Sequence, residues 1–175
     1  MVTGTPAPLV VLGIWDGHDA GVALIAEGRL LFALAEERPT RRKRCSGFPS
    51  RSLDLCLAWA DARGLAVSDV AIAGRFGRAP LRLLDPIYAS TDPDRDPLGA
   101  ASLAIQGWEN QIARVPVLRE VERALGLRAL APRIAARLGR RPRLHTVAHH
   151  EAHAWSGLLG ARDEPALVVT WDAYG

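Results

Sequence analysis

The chain has 175 residues, of which 49% are hydrophobic and 23% are charged, and its formal net charge is +3 at pH 7. This length supports one ordinary domain with a hydrophobic core, and no apolar run is long enough to cross a bilayer. Pro6, Pro8 and a lack of early basic residues argue against a signal peptide, and Cys45 and Cys56 fit neither a zinc pattern nor a disulfide framework. We therefore expect a cytoplasmic protein that does not associate with membranes.

The first part of the chain predicts three strands joined by two tight turns. Apolar runs at Leu9–Trp15, Ala20–Ala26 and Arg29–Ala35 have strand length, and Glu27-Gly28 fits a two-residue hairpin turn. The first turn, Asp16-Gly17-His18-Asp19, places polar side chains beside a glycine. Because glycine lets a phosphate or nucleotide approach the backbone, this turn is a candidate binding site for phosphate.

The rest of the chain alternates helical and strand patterns. A helical spacing of apolar residues begins at Ser50, and Gly64 is placed to be the C′ residue of that helix. Gly74–Pro116 is rich in proline and aspartate, which predicts a long excursion from the core. The other predicted elements are the strand Val67–Ala73, the helices Val117–Leu125 and Pro132–Leu138 with Gly139 ending the second, the strand Arg143–Val147, a helix over the histidines and the strand Pro165–Trp171.

The run Arg41-Arg42-Lys43-Arg44 is strongly basic and contains the single lysine of the sequence. Arginine suits bidentate contacts to phosphate and carboxylate groups. Nucleic acid could also bind such a run, but no aromatic residues interleave it and no nucleic-acid-binding motif frames it. We therefore favour a solvated loop or a loop that binds a small phosphate compound, and we do not expect nucleic acid as a partner.

Four of the five histidines fall between His145 and His153. Residues four positions apart lie on the same face of a helix, so His149 and His153 would project together. Such a pair can hold one divalent ion, and a carboxylate from elsewhere could complete the site. His150 and His153 could pair instead at a spacing of three, and the spacing alone leaves that choice open. Histidines that make only hydrogen bonds are a further interpretation.

Three stretches resemble motifs of the nodulation-type O-carbamoyltransferases of antibiotic and nodulation-factor biosynthesis. They are GIWDGHDAG at residues 13–21, EERPTRRKR at residues 36–44 with Phe48-Pro49, and HHEAHAWSG at residues 149–157, which VVTWD follows at residues 168–172. The resemblance implies an α/β fold, the ribonuclease-H-like first half of an actin-like (sugar kinase/Hsp70 superfamily) ATPase domain. It also implies that residues 1–175 are the N-terminal half of a transfer domain, ending at the first strand of the second half.

The resemblance also implies a metal and a catalytic base. His149, His153 and Asp172 match family residues that bind a divalent metal, which is expected to be iron(II). His18 resembles the family histidine near the carbamoyl carbon and would act as general base on the acceptor hydroxyl. The alternative for His18 is a turn histidine bonded to a neighbouring aspartate.

ATP and carbamoyl phosphate are the co-substrates that the resemblance implies. Asp16, Gly17 and Asp19 would contact the nucleotide, and Lys43 resembles the family lysine that faces phosphate. The alternative for Lys43 is a solvated charge on the surface.

The expected function is transfer of a carbamoyl group from carbamoyl-adenylate to a hydroxyl of a small-molecule acceptor, in natural-product biosynthesis. As an incomplete module, the chain would need a separately encoded C-terminal half. One alternative is a non-catalytic truncated copy or subunit. Another is a relative of the tRNA threonylcarbamoyl-transfer family, against which the stretches at residues 15–18 and 36–41 argue.

Overall fold

The computed structural model describes residues 9–17, 19–43, 45, 47–73, 115–158 and 167–170 of the chain. The strands of this part are β1 (Val10–Trp15), β2 (Gly21–Ala26), β3 (Arg29–Ala35), β4 (Asp69–Ala73) and β5 (Arg143–Val147). Its helices are α1 (Glu37–Thr40), α2 (Ser50–Asp61), α3 (Pro116–Leu138) and α4 (His149–Leu158). Within these ranges, none of the helices combines the length and the apolar character that crossing a membrane requires.

The strands form one mixed sheet in the order β3-β2-β1-β4-β5. β1 pairs antiparallel with β2, and β2 pairs antiparallel with β3, so the predicted three-strand meander is confirmed. β4 lies parallel to β1 on its other side, and β5 lies parallel to β4. The predicted α/β class, with a mixed sheet and flanking helices, is therefore confirmed. Because β1, β4 and β5 are parallel, their carboxyl ends meet at one edge of the sheet.

One hydrophobic core joins the sheet to α2 and α3. Leu12 and Ile14 alternate with less buried residues along β1, because successive side chains of a strand point to opposite faces. Leu53 and Cys56 of α2 and Ile134 of α3 belong to the same buried cluster. Burial of each large apolar side chain contributes roughly 1.5–3 kcal/mol, and a slip of one residue would turn such side chains outward. The core therefore fixes the register of the sheet.

The prediction of separate helices at Val117–Leu125 and Pro132–Leu138 is wrong, because both belong to α3, which runs through Pro132. A proline inside a helix removes one backbone hydrogen bond and costs about 3 kcal/mol. Leu130 and Ile134, on either side of the proline, are fully buried in the core. Their burial offsets the cost of the proline, so tertiary packing sets the length of this helix.

Most other predicted elements differ from the structure only at their ends. The strands predicted from Leu9, Ala20 and Val67 begin one or two residues later. Gly64 (φ 66°) is the C′ residue of α2 as predicted, because Leu65 N donates to Ala60 O and Gly64 N donates to Asp61 O, each at 3.0 Å, which is the Schellman pattern. Gly139 (φ 67°) ends α3 as predicted.

Two predicted stretches fall largely outside the described residues. Residues 74–114, which make up nearly all of the predicted excursion, are among them. Of the strand predicted at Pro165–Trp171, only residues 167–170 are described, and these do not form a strand of the sheet.

A charged cluster stabilises β5 at the edge of the sheet opposite the carboxyl ends. Asp69, the buried first residue of β4, accepts a hydrogen bond from His145 Nε2 at 2.8 Å and another from Arg143 Nη2 at 2.9 Å. The hydrogen bond from His145 is the main cause that lowers the pKa of Asp69 from 3.8 to about 2. Burial opposes this change, and Ser68 and Arg143 add to it. The cluster thus binds the outer parallel strand to its neighbour.

We expect the stabilising contribution of Asp69 to disappear in acid. Because its pKa is lower in the folded chain than its ordinary value, the carboxylate stabilises the fold above about pH 4 and loses this effect as the pH falls from about 4 to about 2. The free energy of unfolding of the wild-type chain should exceed that of Asp69→Asn near neutral pH, and the difference should shrink in acid. Denaturant titrations over this pH range measure it.

Asp54→Asn is the matched control, since Asp54 is an exposed carboxylate that pairs with Arg137. The free energy of unfolding of Asp54→Asn should differ little from that of the wild-type chain, and this difference should vary little with pH. A wild-type advantage over Asp69→Asn that stays constant down to about pH 2 would contradict the prediction.

Candidate functional site

Main-chain hydrogen bonds tie the turn after β1 to the basic loop. Ala20 N donates to Cys45 O at 2.8 Å, and Gly47 N donates to Gly17 O at 3.2 Å. Asp16 of this turn is fully buried. The first turn and the basic loop, which are about 25 residues apart in the sequence, therefore lie side by side at the carboxyl end of β1.

Glu36 connects this turn to the two helices that follow. Its main-chain N donates to Ala20 O at 2.7 Å, and its main-chain O accepts from Thr40 Oγ1 at 2.6 Å. Its buried carboxylate accepts from Arg51 N at 3.0 Å and from Ser52 N at 2.7 Å, and also from the Ser52 hydroxyl. The side chain of Glu36 thus caps the first turn of α2, while its main chain bonds to Ala20 and to Thr40, which precedes the basic loop.

The motifs of the sequence indicate no role for Glu36, but the start of α2 carries a signal for one. α2 begins at Ser50 after Pro49, without a side-chain cap of its own and without an acidic residue in its first turn. The first N–H groups of a helix need acceptors, so an uncapped buried helix start indicates an acceptor from elsewhere in the chain.

Lys43 lies on the solvent side of the basic loop. Its side chain is 80% exposed, and its Nζ lies 3.1 Å from Glu37 Oε1. Arg38 Nε lies 3.7 Å from the same oxygen. Exposed ion pairs of this kind contribute about 1 kcal/mol or less, so a doubly charged phosphate can compete with Glu37 for the lysine.

The start of α4 brings His149 and His153 together. Their Nε2 atoms lie 3.2 Å apart, and their ring planes meet at 86°. The centroid of the His150 ring lies 5.6 Å from that of His149. Of the two pairs that the spacing left open, the pair four residues apart is the one whose nitrogen atoms the helix brings together.

This nitrogen–nitrogen distance fits a shared metal ion. With metal–nitrogen bonds of about 2.0–2.1 Å, two imidazoles on one ion hold their nitrogen atoms roughly 3.0–3.4 Å apart. A hydrogen bond between two neutral imidazoles has a similar length. Within the described residues, no group of three or more histidine, cysteine, aspartate or glutamate side chains could hold a metal. Asp172, the third predicted ligand, and His18, the predicted base, lie outside the described residues.

Trp15, the last residue of β1, lies between the first turn and the histidine pair. The centroid of its ring is 5.4 Å from that of His149, and the two planes are tilted by 35°. A Cβ atom added to Gly17 would overlap the Trp15 indole. Glycine is therefore needed at position 17 to leave room for Trp15, a reason that the sequence pattern did not indicate. Asp19 completes the turn with a left-handed φ of 52°.

The fold and the site define an α/β domain in which a histidine pair, a buried aspartate and a basic loop meet at the carboxyl edge of a mixed sheet. The family described as Carbamoyltransferase N-terminus matches residues 10–159, a range that contains all the described strands and helices. The chain belongs to this family.

Several relatives match the chain over part of their length. The nodulation protein NolNO of Sinorhizobium fredii is 26% identical over 160 residues, which cover 90% of this chain and 20% of NolNO. An uncharacterised protein of Synechocystis is 28% identical over 169 residues, covering 90% of this chain and 24% of that protein. An uncharacterised protein of Methanocaldococcus jannaschii is 50% identical over 48 residues, covering 27% of this chain and 9% of that protein. The chain thus spans less than a quarter of the length of each of these relatives.

Proposed function

We propose that this chain is the N-terminal part of an O-carbamoyltransferase that moves a carbamoyl group from carbamoyl-adenylate to a hydroxyl of a small-molecule acceptor. The observation that carries the proposal is the placement of the His149–His153 pair next to Trp15 and the turn that follows it, in a chain of the carbamoyltransferase N-terminus family. Carbamoyl-adenylate would be made from ATP and carbamoyl phosphate in a part of the protein beyond these residues.

The proposed fold is the ribonuclease-H-like first half of an actin-like ATPase domain. It is supported by the antiparallel meander that opens the chain, by the parallel strands added beside β1, and by the helices packed on the sheet. The carboxyl edge of parallel strands is where nucleotides bind in open α/β sheets, and Asp16 and His149, which follow β1 and β5, lie at this edge.

In the proposed reaction His18 is the general base. The acceptor hydroxyl oxygen attacks the carbamoyl carbon of carbamoyl-adenylate, and the hydroxyl proton passes to the imidazole of His18. The bond between the carbamoyl carbon and the phosphate oxygen then breaks, which releases AMP. An imidazole suits this role because such groups exchange protons near neutral pH.

The other candidate residues would bind and orient the donor. Lys43 would contact phosphate oxygens, and Asp16, Gly17 and Asp19 would form the wall of the nucleotide site. The bonds between the turn and the basic loop support a shared location for these residues.

We propose that His149 and His153, with Asp172, hold a divalent metal, expected to be iron(II). When bound, such an ion would supply positive charge next to the phosphate oxygens of the nucleotide. The two converging nitrogen atoms support this proposal, and the role of the chain is to hold them in place.

The test is an enzyme that combines this chain, as its N-terminal part, with the remaining family length. Formation of carbamoyl-adenylate from ATP that depends on carbamoyl phosphate, followed by release of AMP as the carbamoyl group passes to a hydroxyl acceptor, is the expected result. If the assembled enzyme forms no AMP under these conditions, the chain is a non-catalytic copy and the proposal is wrong.

We expect Lys43→Ala to weaken binding of carbamoyl phosphate or nucleotide in this enzyme by roughly 10-fold or more. The reason is the loss of a charge-assisted hydrogen bond to phosphate, which is worth about 1.5–3 kcal/mol. Calorimetric titration measures the change in affinity. Arg38→Ala is the matched control, because Arg38 is 70% exposed and contacts the same Glu37 carboxylate. If Lys43→Ala and Arg38→Ala bind carbamoyl phosphate or nucleotide with equal affinity, Lys43 does not contact phosphate and is a solvated charge on the surface.

A further inference from the structure

We infer that Trp15 is a positioning residue, which couples the Asp16–Asp19 turn to the histidine pair by supporting the ring of His149. The inference rests on the proposed function, since it concerns the groups proposed to bind the metal. It follows from the contacts of Trp15 on its two sides.

The backbone and the ring of Trp15 are both held in place. Its backbone lies in the central strand, opposite Gly21 of β2 and opposite Ala73 of β4. Its indole fills the space that a side chain at residue 17 would need, and Gly17 is itself buried. Trp15 is therefore a fixed surface at the carboxyl edge of the sheet.

His149 lies on a helix whose residues are all at least partly exposed. It is the first residue of this helix, α4. Its ring lies against Trp15 at a centroid distance of 5.4 Å and against His153 at 4.5 Å. Both distances belong to the range of favourable aromatic contacts. The contact with Trp15 therefore limits the directions in which the His149 ring can turn, and it favours the direction that brings the two Nε2 atoms together.

The experiment compares three variants of residues 15 and 17 with the wild-type chain. Trp15→Leu keeps an apolar side chain but removes the aromatic ring, whereas Trp15→Phe keeps an aromatic ring that can contact His149. We expect Trp15→Leu to weaken Co²⁺ binding by roughly 2- to 10-fold and Trp15→Phe to restore most of the affinity. Gly17→Ala should act like Trp15→Leu, because the added Cβ displaces the indole. Calorimetry gives the affinities, and the visible absorption of bound Co²⁺ reports the ligand geometry.

Trp59→Leu is the matched control, because the Trp59 ring, on α2, packs against Phe32 of β3 and Arg63 and makes no ring contact with a histidine among the described residues. It should leave Co²⁺ binding unchanged, and circular dichroism should show that every variant is folded. Equal Co²⁺ affinity in a folded Trp15→Leu and the wild-type chain would overturn the inference and leave the proposed metal site intact.

A metal-free measurement separates the inference from the proposed function. In proton NMR, the Trp15 ring current should displace the imidazole signals of His149, and this displacement should vanish in Trp15→Leu. If the His149 signals are displaced but the wild-type chain binds no Co²⁺, the proposed metal site is wrong, and so is the role of Trp15 in positioning a metal ligand. If the displacement is absent in the wild-type chain, the inference fails whatever the metal does.

Discussion

His149→Ala and His153→Ala are each expected to remove most divalent-metal binding, whereas His150→Ala should leave most of it. The Nε2 atoms of His149 and His153 are only 3.2 Å apart, so both can reach the same ion, and His150 is not part of this pair. Loss even of a hydrogen-bond partner behind a ligand costs about 10–100-fold in metal affinity. Loss of a ligand itself should therefore weaken binding by about 100-fold or more.

The measurement is the metal content and Co²⁺ affinity of an enzyme that contains this chain and the remaining family length. Binding should weaken in acid, because metal ligation requires the neutral form of imidazole. His150→Ala is the control for the removal of an imidazole from the same helix. Undiminished metal content after substitution of His149 and His153 together would show that the two rings only share a hydrogen bond.

Glu36→Ala is expected to lower the free energy of unfolding by about 3 kcal/mol, the second large effect that the structure predicts. The substitution leaves the buried N–H and hydroxyl groups of Ser52 and the partly buried N–H of Arg51 without their acceptor. Hydrogen bonds to a charged group are worth more than neutral ones, and unsatisfied buried donors are costly. Glu36→Gln keeps one acceptor oxygen but turns an amide toward these donors, so its effect should be smaller in size and in the same direction.

Denaturant unfolding measures these losses, and amide hydrogen exchange at Arg51 and Ser52 should become faster in Glu36→Ala. Glu37→Gln is the matched control, since Glu37 makes ion pairs with the exposed Lys43 and Arg38. Such pairs contribute about 1 kcal/mol or less. If Glu36→Ala costs no more than Glu37→Gln, the carboxylate of Glu36 does not hold the start of α2.

The strands and the helix around the histidines could be predicted because their signals are local. Two-residue turns and apolar runs of strand length define β1 to β3 in the sequence, and the three strands pair as the turns predict. The four-residue spacing of His149 and His153 is also a local feature, and in α4 it brings their nitrogen atoms together.

The continuous helix α3 could not be predicted from the same kind of signal. Locally, Pro132 predicts an interruption, and the burial of Leu130 and Ile134 against the sheet overrides it. The role of Glu36 also depends on distant residues, since its carboxylate oxygens accept hydrogen bonds from the N–H groups of Arg51 and Ser52 in α2. The residues next to Glu36 in the sequence do not indicate these partners.

The sequence by itself determined the meander, the α/β class and the location of His149 and His153 on one helix face, because each depends on a period or a turn within a few residues. The structure decided between this pair and the pair of His150 with His153. Only the tertiary structure decided that Trp15 contacts His149, that Gly17 makes room for Trp15, and that the carboxylate of Glu36 caps α2. These contacts join residues that only the folded sheet brings together, and the parallel order of β1, β4 and β5 places them at a common edge.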